Sequence, residues 1–347
     1  MFRNYCLGLR KLPTCRRFCI LGYGYLADLM PWNRTPNRHV DHSLGTHRRF
    51  PHGESVPLLP WLKVIIRFAG IAAFAVLISC AARADEPDKS GYTLFDPTPD
   101  DLMRKFAPDR PLKGFSVRTI DAGHFEIETD LVNYTYANYL GLTTHTIQAF
   151  DPTLKLGLTN WMDFEVQFNG LQYVRSFDDA VVGNLANIAG FGDVFLRTKV
   201  NLLGNDSGPV GFALIPYVKL PSSTPVISNG AVEGGLIAPL ALRPGDFIVT
   251  LETEVDDLKS VYGNGRYINF VNLVSVSHPL PGLDTVNVMA ELYSSVGTDR
   301  ATPPVYTLDF GMNYRLNEHI ILDMGLNLGL NSAAPRAQIY TGISARF

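Results

Sequence analysis

From residue 123 to the C-terminus, apolar and polar positions alternate with a period of two, the signature of a strand with one apolar face. Ile320, Leu322, Met324, Leu326 and Leu328 fall on one side, opposite Ile321, Asp323, Gly325 and Asn327. Tyr306, Leu308, Phe310, Met312 and Tyr314 alternate with Thr307, Asp309, Gly311, Asn313 and Arg315. Phe164, Val166 and Phe168 alternate with Asp163, Glu165 and Gln167, and Val194, Leu196, Val200 and Leu202 with Asp193, Arg197, Lys199 and Asn201. The pattern predicts twelve strands, near 123–135, 146–158, 162–174, 191–203, 209–219, 231–242, 246–256, 266–278, 284–297, 304–315, 319–330 and 337–347.

The connections alternate in length. Short ones (159–161, 204–208, 244–245, 279–283 and 316–318) take turns with longer ones (136–145, 175–190, 220–230, 257–265, 298–303 and 331–336). Short periplasmic turns against longer outer loops, with an even number of strands, is the organisation of a single-chain bacterial outer-membrane barrel. Hydrocarbon offers no hydrogen bonds to an open sheet edge, so a spanning sheet must close on itself. The expected fold is therefore all-β, a transmembrane antiparallel up-and-down barrel over residues 123–347, with its polar face in the lumen. The last segment ends in an aromatic carboxylate, Phe347. It resembles the C-terminal signal of outer-membrane proteins, so Phe347 is the candidate assembly signal and the barrel assembly machinery an expected partner.

Charge divides the chain. Residues 1–84 hold 12 Lys/Arg against 3 Asp/Glu, whereas 85–347 hold 18 against 30. An acidic C-terminal part excludes a nucleic-acid partner, which requires a basic footprint. All four cysteines precede Asp85; Cys15 and Cys19 lack the second ligand pair of a zinc site. Lys63 and Arg67, an apolar run from Phe68 and Ala82-Arg83-Ala84 form the n-region, h-region and cleavage site of a secretory signal peptide over 62–84. Leu77-Ile78-Ser79-Cys80 offers lipidation at Cys80 as an alternative. Residues 1–61, basic and without periodicity, are expected to be an over-extended, unstructured leader, with translation starting near Leu62 or Val64. Residues 85–122 are Pro- and Asp-rich, with a short helix expected over Pro99–Phe106; they form either a periplasmic extension or a small plug in the lumen.

Alternation puts Glu126, Glu128, Asp130, Asp163, Glu165, Asp193, Glu252, Glu254, Glu291, Asp309 and Asp323 on the lumen face, with Lys155, Lys199, Lys219, Arg197, Arg315 and Arg346 opposing them. Two readings stay open: a cation-leaning pore lining, or a salt-bridged network that fills a narrow barrel, since buried charges must pair to be tolerated. No G-x-S-x-G or H-E-x-x-H motif occurs, and Ser228-Asn229-Gly230 lacks the His that an outer-membrane lipase would place beside its Ser. No catalytic residue, metal or cofactor is expected. The acidic pairs Asp178-Asp179 and Asp256-Asp257 at the outer loops offer places for divalent cations beside lipopolysaccharide, but are read as solvated loop residues.

Asp109-Arg110-Pro111, then Gly123-His124-Phe125-Glu126-Ile127-Glu128, Gly190-Phe191-Gly192-Asp193 and Pro216-Tyr217-Val218-Lys219-Leu220-Pro221 carry a family resemblance. The stretch from about residue 95 onward resembles the outer-membrane transporters named for the meta-pathway of phenol degradation. That resemblance implies a channel or facilitator for passive uptake of small, aromatic or hydrophobic molecules. The rival is a structural or adhesive barrel with a sealed lumen.

Overall fold

The computed structural model describes residues 88–178, 184–260 and 265–347. The leader, the signal peptide, Cys80 and Asp179 lie outside these residues. Among the described residues the strand segments are, in chain order, β1 (Phe125–Tyr139), β2 (Leu142–Ala149), β3 (Thr153–Thr159), β4 (Met162–Phe168), β5 (Leu171–Asp178), β6 (Asn184–Phe191), β7 (Val194–Leu203) and β8 (Val210–Leu220). Then come β9 (Glu233–Leu242), β10 (Ile248–Lys259), β11 (Arg266–Leu280), β12 (Leu283–Gly297), β13 (Val305–Arg315), β14 (Ile320–Gly329) and β15 (Ala337–Arg346). All neighbours are antiparallel, and β15 pairs back onto β1 to close the sheet. At the seam, Phe125 and Phe347 exchange backbone hydrogen bonds of 3.0 and 2.8 Å, and their ring centroids are 6.1 Å apart.

The segments β2 and β3, β4 and β5, and β6 and β7 are three wall-crossing strands, each interrupted once, so the wall is crossed twelve times. The interruptions fall beside one another. A bulge between Asp130 and Val132 in β1 meets the break at Phe150, whose N–H bonds to the Asp130 carbonyl. Phe168 N–H reaches the Pro152 carbonyl, and Asn169 and Gly192 join the next two strands. A bend therefore runs across four adjacent strands, as bulges kink a strand and re-aim its side chains. It depends on Gly170: a Cβ there would stand 1.8 Å from the Phe150 carbonyl oxygen, while Phe150 itself holds a φ of 55°.

Several strands reach further than hydropathy predicts. Residues 136–145, expected as an outer loop, are instead the ends of β1 and β2 around the tight turn Leu140-Gly141. Near that turn Asn138, Thr143 and Thr144 extend the ladder without an apolar stripe. The helix expected over Pro99–Phe106 is reduced to a single 3-10 turn, Asp100–Leu102. The Arg104 N–H that would continue it is taken at 3.0 Å by the Asp121 carboxylate.

The outward positions form the lipid-facing band: Phe164, Tyr173, Leu236, Val274, Leu292, Phe310, Met324 and Ile339 are all exposed. The opposite face is largely polar, and Val117, Ala213 and Ala241 form a small buried apolar cluster on it. No helix among the described residues is long and apolar enough to cross a membrane; this chain crosses with strands. The closed sheet with its apolar outer band is an outer-membrane β-barrel in contact with lipid.

Candidate functional site

The chemistry of this protein is gathered inside the barrel. Glu126, Glu128, Asp130, Lys155, Asp163, Glu165, Asp193, Lys199, Lys219, Glu252, Glu291, Asp309, Asp323 and Arg346 are buried; Arg197, Glu254 and Arg315 are half-buried. Most of these charges face a length of chain for which the sequence offers no periodicity, residues 104–120.

That segment runs through the lumen. Asp109 lies between two wall lysines, 2.5 Å from Lys155 Nζ and 2.9 Å from Lys199 Nζ. Lys155 also pairs with Glu128 and stands 3.8 Å from Glu126, and Lys199 stands 3.3 Å from Glu165. Burial opposes ionisation of Asp109, but the two lysines outweigh it and hold its carboxyl well below the ordinary carboxylate range. One residue on, Arg110 bridges Asp130 at 2.5 Å and Asp323 at 2.8 Å. It reaches them across Gly342, where a Cβ would stand 2.3 Å from the guanidinium. Lys113 pairs with Asp309, and its ammonium lies 4.5 Å from the Tyr293 ring centroid. Backbone N–H groups of the segment use the wall carboxylates as acceptors: Lys113 and Gly114 on Glu291, Phe115 on Glu252, Ile120 on Asp163. The segment lacks a ladder of its own, and buried N–H groups need acceptors.

Other predicted positions lie elsewhere. Lys219, Asp193 and Glu233 form a cluster with Ser228 and Asn229 under the β8–β9 loop. Asp256 accepts from Tyr217 Oη at 2.7 Å and from Asn269 at 3.1 Å, so it faces inward instead of sitting in a solvated loop. Sequence reasoning passed over the inward aromatic residues Phe195, Tyr217, Tyr293 and Tyr340. Parity would have found them: each is an even number of residues from an inward charge on its own strand. It could not have found Asp109, Arg110 or Lys113, which sit on no strand.

Two cavities flank the segment. The one on the periplasmic side, about 20 Å³, is lined by Lys105, Phe106, Glu126 and Arg346 among others. The one beyond it, about 130 Å³, is lined by Leu112, Phe115, Gln167 and Arg197 among others. Asp109 and Lys155 line both, so this ion pair stands at the partition. At the periplasmic mouth the chain is clasped by Asp206, which takes Lys89 Nζ at 2.7 Å and Arg104 Nε at 2.9 Å. Among the described residues no group of three or more His, Cys, Asp or Glu has the arrangement to hold a metal ion.

Residues 108–347 match the family described as "Putative MetA-pathway of phenol degradation". The chain belongs to this family. The match begins one residue before Asp109, so the phenol-degradation MetA family takes in residues 108–120 of the lumen segment with the barrel. Among solved structures, the chain is similar to the COG4313 outer membrane channel from Pseudomonas putida F1, with a TM-score of 0.52 and 14% identity over 68% of this chain and 100% of that one. That likeness is one of fold. The anion-selective porin from Comamonas acidovorans matches at a TM-score of 0.35 and 11% identity, over 65% of this chain and 98% of that one. The translocator domain of autotransporter NalP from Neisseria meningitidis matches at 0.39 and 12%, over 65% and 88%. No curated protein matches the chain by sequence.

Proposed function

We propose that this protein is a passive outer-membrane channel for small, aromatic or hydrophobic molecules, with residues 104–120 as an internal plug that must shift for a solute to pass. The observation that carries this reading is the partition at Asp109 and Lys155, which separates the two cavities along the barrel axis. Ion pairs and backbone hydrogen bonds hold most of the plug, with Phe106, Val117 and Ile120 as its buried apolar contacts. Such contacts exchange for water at modest net cost, unlike buried apolar surface. The wall charges then serve two states: they pin the plug when it is in place and line an aqueous path when it moves. On the same reading, the strand ending at Phe347 engages the barrel assembly machinery.

The test is a reversible lock. Val117 Cγ2 lies 2.7 Å from where a Cβ would stand on Gly211 of the wall, close enough for a disulfide between V117C and G211C. No cysteine follows Cys80, so this pair would be the only thiols of the barrel. Single-channel conductance and proteoliposome swelling should be suppressed when the pair is oxidised and should return on reduction. Equal conductance in both states would show that the plug need not move. Silence in both, with folded protein, would favour the sealed structural barrel.

A further inference from the structure

We propose that the larger lumen cavity is a binding site for a monocyclic aromatic carboxylate, with Arg197 as the anion-binding group and Phe115 as the ring platform. The proposal names the solute class of the channel described above and rests on that reading for its purpose, although its geometry stands alone.

Four cations line this cavity: Arg110, Lys113, Lys155 and Arg197. The first three are ion-paired, to Asp323, Asp309 and Asp109. Among the described residues, Arg197 has no carboxylate within 4.0 Å; its Nη2 donates to Gln167 Oε1 at 2.6 Å, and its Nε is buried with no acceptor. A buried cationic N–H without a partner carries a desolvation cost that an arriving carboxylate would remove.

The neighbouring carboxylates are already engaged. Glu165, the cross-strand partner of Arg197, turns to Lys199 at 3.3 Å. Asp109 and Glu128 are held by Lys155. Asp151 accepts from Gln167 Nε2 at 3.3 Å and from the Gly170 N–H at 3.2 Å. None of them stands within 4.0 Å of Arg197, so its guanidinium makes no direct ion pair, and Gln167 alone links it to Asp151.

The surroundings specify the rest of that solute. The Arg197 guanidinium lies 5.2 Å from the Phe115 ring centroid and 5.3 Å from that of Phe195. Phe115 and Leu112 are the apolar side chains of an otherwise polar cavity wall. A volume of about 130 Å³ is close to the roughly 150 Å³ of a cavity that holds benzene and leaves room for no more than one six-membered ring. The guanidinium fork matches a carboxylate bidentately. A neutral aromatic alcohol would leave the charge unbalanced, and acetate would leave the aromatic wall uncovered.

Isothermal titration calorimetry of the intact detergent-solubilised protein with benzoate tests this. The wild type should bind benzoate and bind benzyl alcohol and acetate more weakly. Arg197→Gln should weaken benzoate roughly 10- to 100-fold, the loss of one charge-assisted pair. Arg197→Lys should fall between the two, keeping the charge and losing the fork. Phe115→Ala should weaken benzoate while leaving acetate unchanged. Folding of each variant is checked by its heat-modifiable mobility. Absence of benzoate binding to the wild type, equal binding by folded Arg197→Gln, or equal binding of benzyl alcohol would overturn the site. Conductance of the same preparation keeps the two readings apart. A conducting protein that ignores benzoate sinks this proposal alone, and a silent one that binds it sinks only the channel.

Discussion

Lys155 Nζ stands 2.5 Å from Asp109 Oδ2, joining a strand of the wall to a segment 46 residues earlier in the chain that crosses the lumen. Both residues line the two interior cavities, and on the proposed reading their contact holds the plug. Lys155 keeps Glu128 and Lys199 keeps Glu165 if Asp109 is lost, so neither cation would be stranded.

Asp109→Asn is therefore expected to loosen the plug without unfolding the barrel. The loss should be about 1.5–3 kcal/mol, the range for hydrogen bonds to charged groups. A lower midpoint of heat modification together with larger or more frequent conductance events would agree. Conductance identical to wild type would remove Asp109 from the path.

Gly170→Ala tests the bend. The new methyl would meet the Phe150 carbonyl at 1.8 Å and the Ala149 carbonyl at 2.3 Å, both backbone atoms that cannot swing aside. Overpacking of this kind costs about 1–3 kcal/mol or more. Folding yield and thermal midpoint should both fall; wild-type values for both would show that the four-strand bend is not fixed by this contact.

Leu326→Arg tests which face meets lipid. Leu326 is exposed on β14, between Phe310 and Ile339 of the adjoining strands. A charge at the lipid face near mid-membrane costs about 2–4 kcal/mol. Outer-membrane levels should drop for Leu326→Arg and not for Leu326→Met. Equal levels would reverse the facing assigned to β14.

The periplasmic clasp carries a pH signature. Half-burial opposes the charge of Asp206, but the hydrogen bond from Lys89 and the nearby Arg104 lower its pKa below the ordinary value. A depressed carboxylate stabilises the fold fully above its unfolded pKa, about 3.9, and loses that contribution as pH falls through the folded value. Hydrogen exchange at the backbone of residues 88–106 should therefore be unchanged from about pH 8 to 5 apart from the intrinsic rate, and accelerate only in stronger acid. Asp206→Asn should abolish that acid step. A step near pH 6 in the wild type would point to another group.

The alternation of Ile320, Leu322, Met324, Leu326 and Leu328 with polar partners was enough to determine strands, and twelve of them enough to determine a closed barrel. A spanning sheet has no other way to satisfy its edges. The same parity put Glu128, Lys155, Glu165 and Lys199 on one face. It failed at residues 136–145, where backbone pairing through Asn138, Thr143 and Thr144 continues the ladder without an apolar stripe to mark it. Which charges meet was decided only by the tertiary structure. Arg110 and Asp323 are 213 residues apart, and the segment carrying Asp109, Arg110 and Lys113 has no period to read. Its path is set by acceptors on the far wall and by the space over Gly342. Periodicity reports what a residue faces, lipid or lumen; it does not say which distant residue shares that space.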